Sequence, residues 1–145
     1  MTTTLALRHV EADHEVSACF AVMRQLRPHL ASAEEFVERV ARQRGAGYRL
    51  LAAWHGGAVV GLAGYRLQEN LIHGRFVYID DLVVAQSERR GRIGAELLEA
   101  VAAEARALGC QRLTLDTAID NLLGQRFYFR NGMLATGLHF RLSLT

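Results

Sequence analysis

The sequence predicts an α/β protein in which a mixed, mostly antiparallel sheet carries helices on both faces. The first observation is the order of hydrophobic patterns along the chain. Segments with the periodicity of strands and segments with the periodicity of helices follow one another in the order β-α-α-β-β-β-α-β-α-β. The second is an early hairpin followed by strand–helix–strand units, an arrangement typical of mixed sheets. The third is a length of 145 residues without a repeat or a linker, which predicts a single domain over residues 1–145.

The first third of the chain predicts one strand and two helices. Alternation over residues 4–9 indicates a strand, and residues 11–26 have apolar positions at helical spacing, with Asp13 available as the N-terminal cap. Pro28 ends that helix because proline cannot continue the hydrogen-bond ladder. Ser32 opens a second helix in which acids come first and arginines last, an order that suits the helix dipole.

The middle of the chain predicts three strands. Residues 48–55 and 58–67 flank the pair Gly56-Gly57, which is a good hairpin signal. Residues 75–84, RFVYIDDLVV, are rich in β-branched and aromatic side chains and predict the third strand.

The last third of the chain alternates helices with strands. A helix is predicted over residues 95–108, and the segment QRLTLDT, residues 111–117, predicts a strand. Residues 121–131 predict a short helix that Gly132 ends. Residues 133–144 then predict a final strand.

Composition and charge exclude several classes of protein. The net charge of +2 is too small to indicate a nucleic-acid partner. The longest apolar run falls short of the roughly 18 residues of a membrane span, and the N-terminus lacks the layout of a signal peptide. Cys19 and Cys110 have no metal-ligand spacing, so we expect reduced, half-buried thiols in a cytoplasmic, bacterial protein without a bound metal.

The segment SERRGRIG, residues 87–94, places arginines at the start of a helix. Positive charge is unfavourable there because a helix N-terminus already carries partial positive charge, so the segment predicts an anion. Backbone N–H groups of a glycine-containing turn converge on one point, and arginine adds charge-assisted donors for phosphate. The segment has neither the GxxxxGK[ST] of a P-loop nor the three glycines of a dinucleotide fingerprint. A solvated basic loop beside a capped helix is the alternative interpretation.

From about residue 76 to residue 133 the chain resembles the GNAT superfamily of N-acetyltransferases. The family's motif [Q/R]-x-x-G-x-[G/A] lines up with Arg89 to Gly94, but Arg92 stands where the family has its first glycine, and Gly91 lies one place earlier. We expect this departure to change the affinity for the cofactor and to leave the fold unchanged. A second family element matches at six positions, Asn121, Gly124, Phe127, Tyr128, Gly132 and Met133.

The resemblance implies an N-acetyltransferase that uses acetyl-CoA and acts on the amine of a small molecule or peptide by direct attack on the thioester. It implies that the pantetheine arm pairs with the strand at residues 82–84 and that the pyrophosphate meets the turn and the helix start. The implied cofactor-binding residues are Leu82, Val83, Val84, Arg89, Arg90, Gly91, Arg92, Ile93, Gly94, Ala95, Asn121 and Tyr128.

The resemblance also implies catalytic residues. Bases in the family often come from the strand that residues 75–84 match, and a carboxylate inside a strand is costly unless it is paired or functional. Asp80 is therefore the expected base, and Asp81 is the alternate if a β-bulge shifts the alternation. A purely structural role for one or both carboxylates stays open. A backbone N–H of the same strand would hold the oxyanion, and Tyr128 would serve the departing thiolate as acid.

Residues that bind the acceptor are expected around the same strand. In the family the connection between the first two helices covers the acceptor, and acidic groups would suit a cationic amine. The candidates are Arg27, His29, Glu69, His73, Tyr78 and Asp116. An N-terminal protein acetyltransferase and a non-catalytic acyl-CoA-binding module are the alternative functions. Dimerisation is common in the family, often through the C-terminal strand, so the resemblance allows either a monomer or a homodimer. No nucleic-acid or membrane partner is expected.

Overall fold

The computed structural model describes residues 4–89 and 91–145, and the chain divides into two compact units, Met1–Thr114 and Leu115–Thr145. The elements of the first unit are β1 (Leu5–Val10), α1 (Asp13–Ala18), α2 (Phe20–Leu26), α3 (Ala33–Arg44), β2 (Tyr48–His55), β3 (Ala58–Asn70), β4 (Gly74–Val84), α4 (Ile93–Ala107) and β5 (Arg112–Leu115), of which β5 ends one residue into the second unit. The second unit contains α5 (Leu122–Arg130). Among the described residues, no helix is long and apolar enough to cross a membrane. The assignment of residues 1–145 to a single domain stays a prediction.

Five strands of the described residues form one sheet in the order β1-β2-β3-β4-β5. The pairs β1–β2, β2–β3 and β3–β4 are all antiparallel. The hairpin between β2 and β3 turns at Gly56, whose φ of 60° is a left-handed conformation that glycine adopts without strain. The α/β class and the mostly antiparallel sheet predicted from the sequence are confirmed.

Helices cover both faces of the sheet. On β2, Leu50 and Ala52 belong to the core cluster that includes residues of α1, α2 and α3, whereas Leu51 between them is buried outside that cluster and faces the other side. Helix α4 covers the second face, since a Cβ added at Gly61 of β3 would lie 2.8 Å from Cγ2 of Ile93. The helix packs directly on the strand backbone there, which explains a glycine inside this strand.

The predicted helix over residues 11–26 is divided into α1 and α2 at Cys19. The amide of Cys19 donates to the carbonyl of Val16, three residues back, at 2.9 Å, so the backbone tightens for one turn before α2 continues. The predicted cap at Asp13 is wrong. Ala12 holds the N-cap position because its carbonyl already accepts two amides of the first turn, and Asp13 is the first helical residue.

Helix α3 begins at the residue that the sequence predicts. Oγ of Ser32 accepts the amide of Glu35 at 3.1 Å, and Oε2 of Glu35 accepts the amide of Ala31 at 2.8 Å, so two otherwise unpaired donors are satisfied reciprocally. Phe36 and Val40 are buried, and they fix which face of α3 packs toward the sheet.

The second unit has a well-capped helix followed by a segment without regular structure. The strand predicted over residues 133–144 is not formed, because the structure assigns no strand to residues 133–145. An extended segment becomes a strand only when a neighbour supplies the ladder hydrogen bonds, and alternation of apolar residues does not supply that neighbour. Large apolar side chains of this segment are exposed, with exposed fractions of 75–89% at Leu138, Phe140, Leu142 and Leu144.

Candidate active site

A cavity of about 400 Å³ opens on the first unit beside β4. Its volume lies within the range of roughly 300–1,000 Å³ that is typical of small-molecule sites. Apolar lining comes from Met23, Leu30, Phe36 and Val40. The polar lining residues are Arg27, His29, Arg39, Gln43, Tyr48, Tyr78, Asp80 and Asp81.

A β-bulge on β4 brings both carboxylates to this cavity. Across the β3–β4 ladder Gly64 faces Asp81 and Tyr65 faces Ile79, so Asp80 is an extra residue on its strand. Strict alternation would send two consecutive side chains to opposite faces of the sheet. The bulge instead lets Asp80 and Asp81 line the same cavity.

Both carboxylate oxygens of Asp81 accept hydrogen bonds within the protein. Nε of Arg27 donates to Oδ1 at 2.9 Å, and Oη of Tyr48 donates to Oδ2 at 2.8 Å. Arg27, at the end of α2, also donates from Nη2 to the backbone carbonyl of Asp80 at 2.8 Å. The side chain of Asp81 is only 14% exposed. Asp81 therefore connects the end of α2 to the bulge, and each of its oxygens takes part in a hydrogen bond within the protein.

Asp80 is held through one oxygen. Nε of Arg66 donates to its Oδ2 at 2.9 Å, and Nη2 of the same arginine donates to Oε1 of Gln43 at 3.1 Å. Among the described residues, none donates to Oδ1 of Asp80. Burial raises the pKa of the Asp80 carboxyl above its ordinary value, although the hydrogen bond and charge of Arg66 oppose that shift. A carboxylate with a raised pKa and one available oxygen is a suitable proton acceptor.

Sequence reasoning did not single out Tyr48 and Arg66. The strand register places Tyr48 opposite Arg66 and Arg66 opposite Tyr78, so the three side chains form a row across β2, β3 and β4. A glycine in the interior of a strand, Gly64 of β3, is the sequence signal that points to Tyr48. A Cβ there would lie 1.8 Å from Oη of Tyr48, so this glycine makes room for the ring.

The hydroxyl of Tyr48 is a fixed donor. Burial raises the pKa of Tyr48 well above its ordinary value, and the charge of Asp81 raises it further. The hydroxyl therefore stays protonated at neutral pH and donates its proton to the Asp81 carboxylate.

The turn that follows β4 leads directly into α4. The amide of Ala85 donates to the carbonyl of Val60 at 2.8 Å, and a single 3₁₀ turn follows at Gln86–Glu88. Nε of Arg89 then donates back to the carbonyl of Val84 at 3.2 Å. This sequence of strand, tight turn and 15-residue helix directs the positive end of the α4 dipole at the turn, where an anion is stabilised.

The backbone at the start of α4 accommodates the departure from the family pattern without strain. Arg92 is the N-cap of α4 with a φ of −101°, which any residue adopts, and its side chain makes no capping bond among the described residues. At Gly91 a Cβ would meet only the carbonyl of Glu88, at 3.7 Å, among those residues. Ile93 and Gly94 are buried, whereas Ala95 is half-buried. Arg90, also predicted to bind the cofactor, lies outside the described residues.

Two of the predicted acceptor-binding residues of the first unit do not line the cavity. Glu69 and His73 lie at the far end of the β3–β4 hairpin, where Nη1 of Arg112 donates to Nδ1 of His73 at 3.2 Å. In the β3–β4 register, Glu69 pairs with Arg75 and Asn70 with Gly74, so this end of the hairpin lies about five residues along β4 from Asp80. Helix α3 instead contributes Arg39 and Gln43, two residues four apart on one helix face that sequence reasoning missed.

In the second unit, Asn121 caps α5. Its Oδ1 accepts the amide of Gly124 at 3.1 Å, and its Nδ2 donates to Oγ1 of Thr117 at 2.9 Å. Tyr128 on α5 is half-buried, and burial raises the pKa of its hydroxyl. Asp116, a predicted acceptor-binding residue, lies with its Oδ2 2.9 Å from Nδ1 of His139.

Comparison with protein families gives one match over most of the chain. The sequence model of the Acetyltransferase (GNAT) family matches residues 12–133. A curated relative, aminoalkylphosphonate N-acetyltransferase of Salmonella typhimurium, is 37% identical over 95 residues, which cover 65% of this chain and 59% of that protein. The match therefore spans about three-fifths of the length of that relative.

Solved structures share the fold over nearly the full length. An acetyltransferase from Trypanosoma brucei superposes with a TM-score of 0.80 at 27% identity and covers 97% of this chain and 100% of its own. An aminoglycoside N-acetyltransferase solved in complex with CoA superposes with a TM-score of 0.85, covering 100% of this chain and 98% of its own. At 17% identity the second likeness shows a shared fold alone.

Proposed function

Because the chain belongs to the Acetyltransferase (GNAT) family, we propose that it is an enzyme that transfers an acetyl group from acetyl-CoA to a primary amine of a small molecule or peptide. The observation that carries the proposal is the bulge on β4, which holds Asp80 in a cavity of small-molecule size directly before residues 82–84. A base and the strand expected to bind the thioester arm thus belong to one element. By its name, the curated relative acts on aminoalkylphosphonates, which are amines.

Asp80 is the proposed base. A primary amine in water is protonated at neutral pH and must lose a proton before it attacks a carbonyl carbon. The raised pKa of Asp80 makes its carboxylate a better proton acceptor than an ordinary aspartate, and Arg66 fixes the orientation by holding the other oxygen. Asp81 is the alternate base, but its two hydrogen bonds favour a positioning role.

The turn between β4 and α4 is the proposed binding site of acetyl-CoA, which supplies the thioester that is attacked. The proposed contacts for its arm are the backbone groups of Leu82, Val83 and Val84, with a backbone N–H near Val83 or Val84 as the oxyanion donor. The proposed contacts for its phosphates are Arg89, Arg90, Gly91, Arg92, Ile93, Gly94 and Ala95. Support comes from the backbone at Arg92, which needs no strained conformation to present the start of α4.

Two residues of the second unit complete the proposed set. Tyr128 is the proposed acid for the departing thiolate, because its raised pKa keeps the hydroxyl protonated at neutral pH. Asn121 is a proposed contact of the pantetheine arm in addition to its role as the cap of α5.

A thermal-shift titration with acetyl-CoA, CoA and ATP tests the cofactor. A ligand held at about 100 times its dissociation constant stabilises a protein by about 2.7 kcal/mol. We expect acetyl-CoA and CoA to raise the melting temperature by several degrees and ATP to leave it unchanged. Release of thiol in the presence of primary amines then tests catalysis. No stabilisation by either CoA species would contradict the proposal.

The same two assays separate the alternative functions. A non-catalytic acyl-CoA-binding module would be stabilised by acetyl-CoA but would release no thiol with any amine. An N-terminal protein acetyltransferase would acetylate the α-amine of peptides in preference to small amines. The volume of the cavity, about 400 Å³, favours a small acceptor.

We also propose that the protein is a homodimer in a bacterial cytoplasm. Support for the dimer comes from residues 133–145, which expose several large apolar side chains, because pairing with a second copy would bury them. Free Cys19 and Cys110 and the Salmonella relative support the location. Sedimentation equilibrium of the full chain and of Phe140→Asp tests the dimer, and a monomeric wild type would contradict it. Fractionation of a tagged chain tests the compartment.

A further inference from the structure

The cavity offers far more hydrogen-bond donors than acceptors. Asp81 has both oxygens engaged, and Asp80 has one engaged with Arg66. Oδ1 of Asp80 is thus the carboxylate oxygen that is left for a ligand among the described residues. The donors are less fully used, because a guanidinium carries five N–H groups.

Arg39 is the least committed guanidinium of the lining. Among the described residues it makes one contact, from Nη2 to Oε1 of Glu35 at 3.2 Å. The other oxygen of Glu35 accepts the amide of Ala31, so Glu35 is held at the helix start and does not line the cavity. Most of the N–H groups of Arg39 are therefore available to a ligand, and His29, in the connection between α2 and α3, adds ring nitrogens to the lining.

We propose that the acceptor is an amine that also carries an anionic oxygen group, a phosphonate, phosphate or carboxylate, and that Arg39 and His29 bind this group. The inference rests on the proposed acetyl transfer to an amine and names the class of acceptor. Guanidinium groups suit such oxygens because the planar fork donates two parallel hydrogen bonds to them. The amine of the same molecule then takes Oδ1 of Asp80 as its acceptor.

This arrangement disfavours a polycationic acceptor. A second ammonium group would face the guanidinium groups of Arg39 and Arg27, while each oxygen of Asp81 already accepts a hydrogen bond from Arg27 or Tyr48. An unpaired charge brought next to like charge is a strong element of selectivity. The acidic residues of β4, which suggested a cationic acceptor from the sequence, are thus neutralised by arginines of the same chain.

A matched series of amines tests the inference. The probes are 2-aminoethylphosphonate, 3-aminopropanoate, the neutral 3-aminopropan-1-ol and the polyamine spermidine, each assayed with acetyl-CoA by thiol release. We expect kcat/KM for the better anionic amine to exceed that for the neutral alcohol by about 10- to 100-fold, as for the loss of one charge-assisted contact. The two anionic probes distinguish phosphonate from carboxylate. Equal rates with the neutral amine, or a preference for spermidine, would overturn the inference.

Substitution of Arg39 assigns the contact. We expect Arg39→Gln to raise KM for the preferred anionic amine by about 10-fold or more and to leave kcat/KM for 3-aminopropan-1-ol nearly unchanged. Arg39→Lys should recover part of the loss, because the charge remains. Arg42→Gln is the control, since Arg42 is exposed on the same helix and does not line the cavity. An equal loss for the charged and the neutral amine would show a structural role and contradict the assignment.

Direct binding separates this inference from the proposed function. Calorimetry with 2-aminoethylphosphonate and 3-aminopropanoate, in the presence of CoA, reports recognition without turnover. Binding that Arg39→Gln abolishes, without any thiol release, would support the inference and contradict the enzyme. Thiol release with neutral amines, without binding of either anionic probe, would support the enzyme and contradict the inference. The absence of both signals would overturn both proposals.

Discussion

The acceptor cavity and the turn before α4 are built in different ways. The cavity is made of side chains that are distant in sequence. Arg27 and Tyr48 hold Asp81, and Arg66 holds Asp80, through hydrogen bonds of 2.8–2.9 Å around the bulge. The turn is made of consecutive backbone groups between β4 and α4, where Gln86, Ser87, Arg89 and Arg92 are exposed and a Cβ at Gly91 would meet only the carbonyl of Glu88, at 3.7 Å, among the described residues. Substitutions in the cavity should therefore act on stability and catalysis together, whereas substitutions in the turn should act on ligand binding alone.

The largest effect is expected at Asp80. Asp80→Asn cannot accept a proton, so we expect kcat to fall by about 10²- to 10⁴-fold while acetyl-CoA still stabilises the protein. In the wild type, kcat/KM should fall as the pH drops through the pKa of Asp80, because protonated aspartic acid is not a base. Arg66 lowers that pKa, so Arg66→Gln should move this acid limb to higher pH.

Asp81→Asn is the matched control for the base. We expect it to disturb stability and KM more than kcat, because Asp81 holds Arg27 and Tyr48. A greater loss of kcat in Asp81→Asn than in Asp80→Asn, with an unchanged pH profile in the latter, would reverse the two roles.

The second largest effect is expected at Gly64. Gly64→Ala places a Cβ 1.8 Å from Oη of Tyr48, so the ring or the strand must move. We expect the free energy of unfolding to fall by about 3 kcal/mol, as for severe overpacking of a core. Urea denaturation measures the change. Gly57→Ala in the β2–β3 turn is the control, because no described atom lies within 4 Å of its Cβ position. Equal stability of both variants would show that the Tyr48 pocket is loosely packed.

A moderate effect is expected when the hydroxyl of Tyr48 is removed. Tyr48→Phe leaves Oδ2 of Asp81 without its donor in a buried setting, so we expect a loss of about 1–3 kcal/mol in unfolding free energy. A reduced kcat/KM should accompany it, because Asp81 positions the bulge. Tyr65→Phe is the control: its hydroxyl lies 2.6 Å from Nε2 of His9, away from the cavity lining, so kcat/KM should stay unchanged. Equal kinetic losses in the two variants would contradict the link between Tyr48 and the site.

The same contrast explains which features the sequence predicts. Residues 87–94 are contiguous, so the turn and its charge can be read directly from the sequence, and the glycine pair at 56–57 marks the hairpin in the same way. The cavity depends on register. A bulge at Asp80, a row from Tyr48 to Tyr78 and a helix face carrying Arg39 all follow from pairings that no local pattern specifies.

The errors have the same origin. The final strand over residues 133–144 was predicted from alternation, but a strand also needs a neighbour, which a local pattern does not contain. The cap at Asp13 was displaced by one residue because the carbonyl of Ala12 had already taken the N-cap role. Glu69 and His73 were placed near the site by their closeness in sequence to β4, whereas the long hairpin extends away from the bulge.

The smallest effect on stability is expected at Gly91 in the turn. Its φ is not in the left-handed region, and a Cβ would have 3.7 Å of clearance from its nearest described neighbour, the carbonyl of Glu88. Gly91→Ala should therefore leave the unfolding free energy unchanged or raise it by about 0.4–1 kcal/mol, because alanine restricts the unfolded chain. Calorimetry with acetyl-CoA then reports how closely a ligand approaches this backbone. Weaker binding of acetyl-CoA at unchanged unfolding free energy would confirm that the turn affects the ligand alone. A loss of stability in Gly91→Ala as large as that in Gly64→Ala would contradict the distinction between the turn and the cavity.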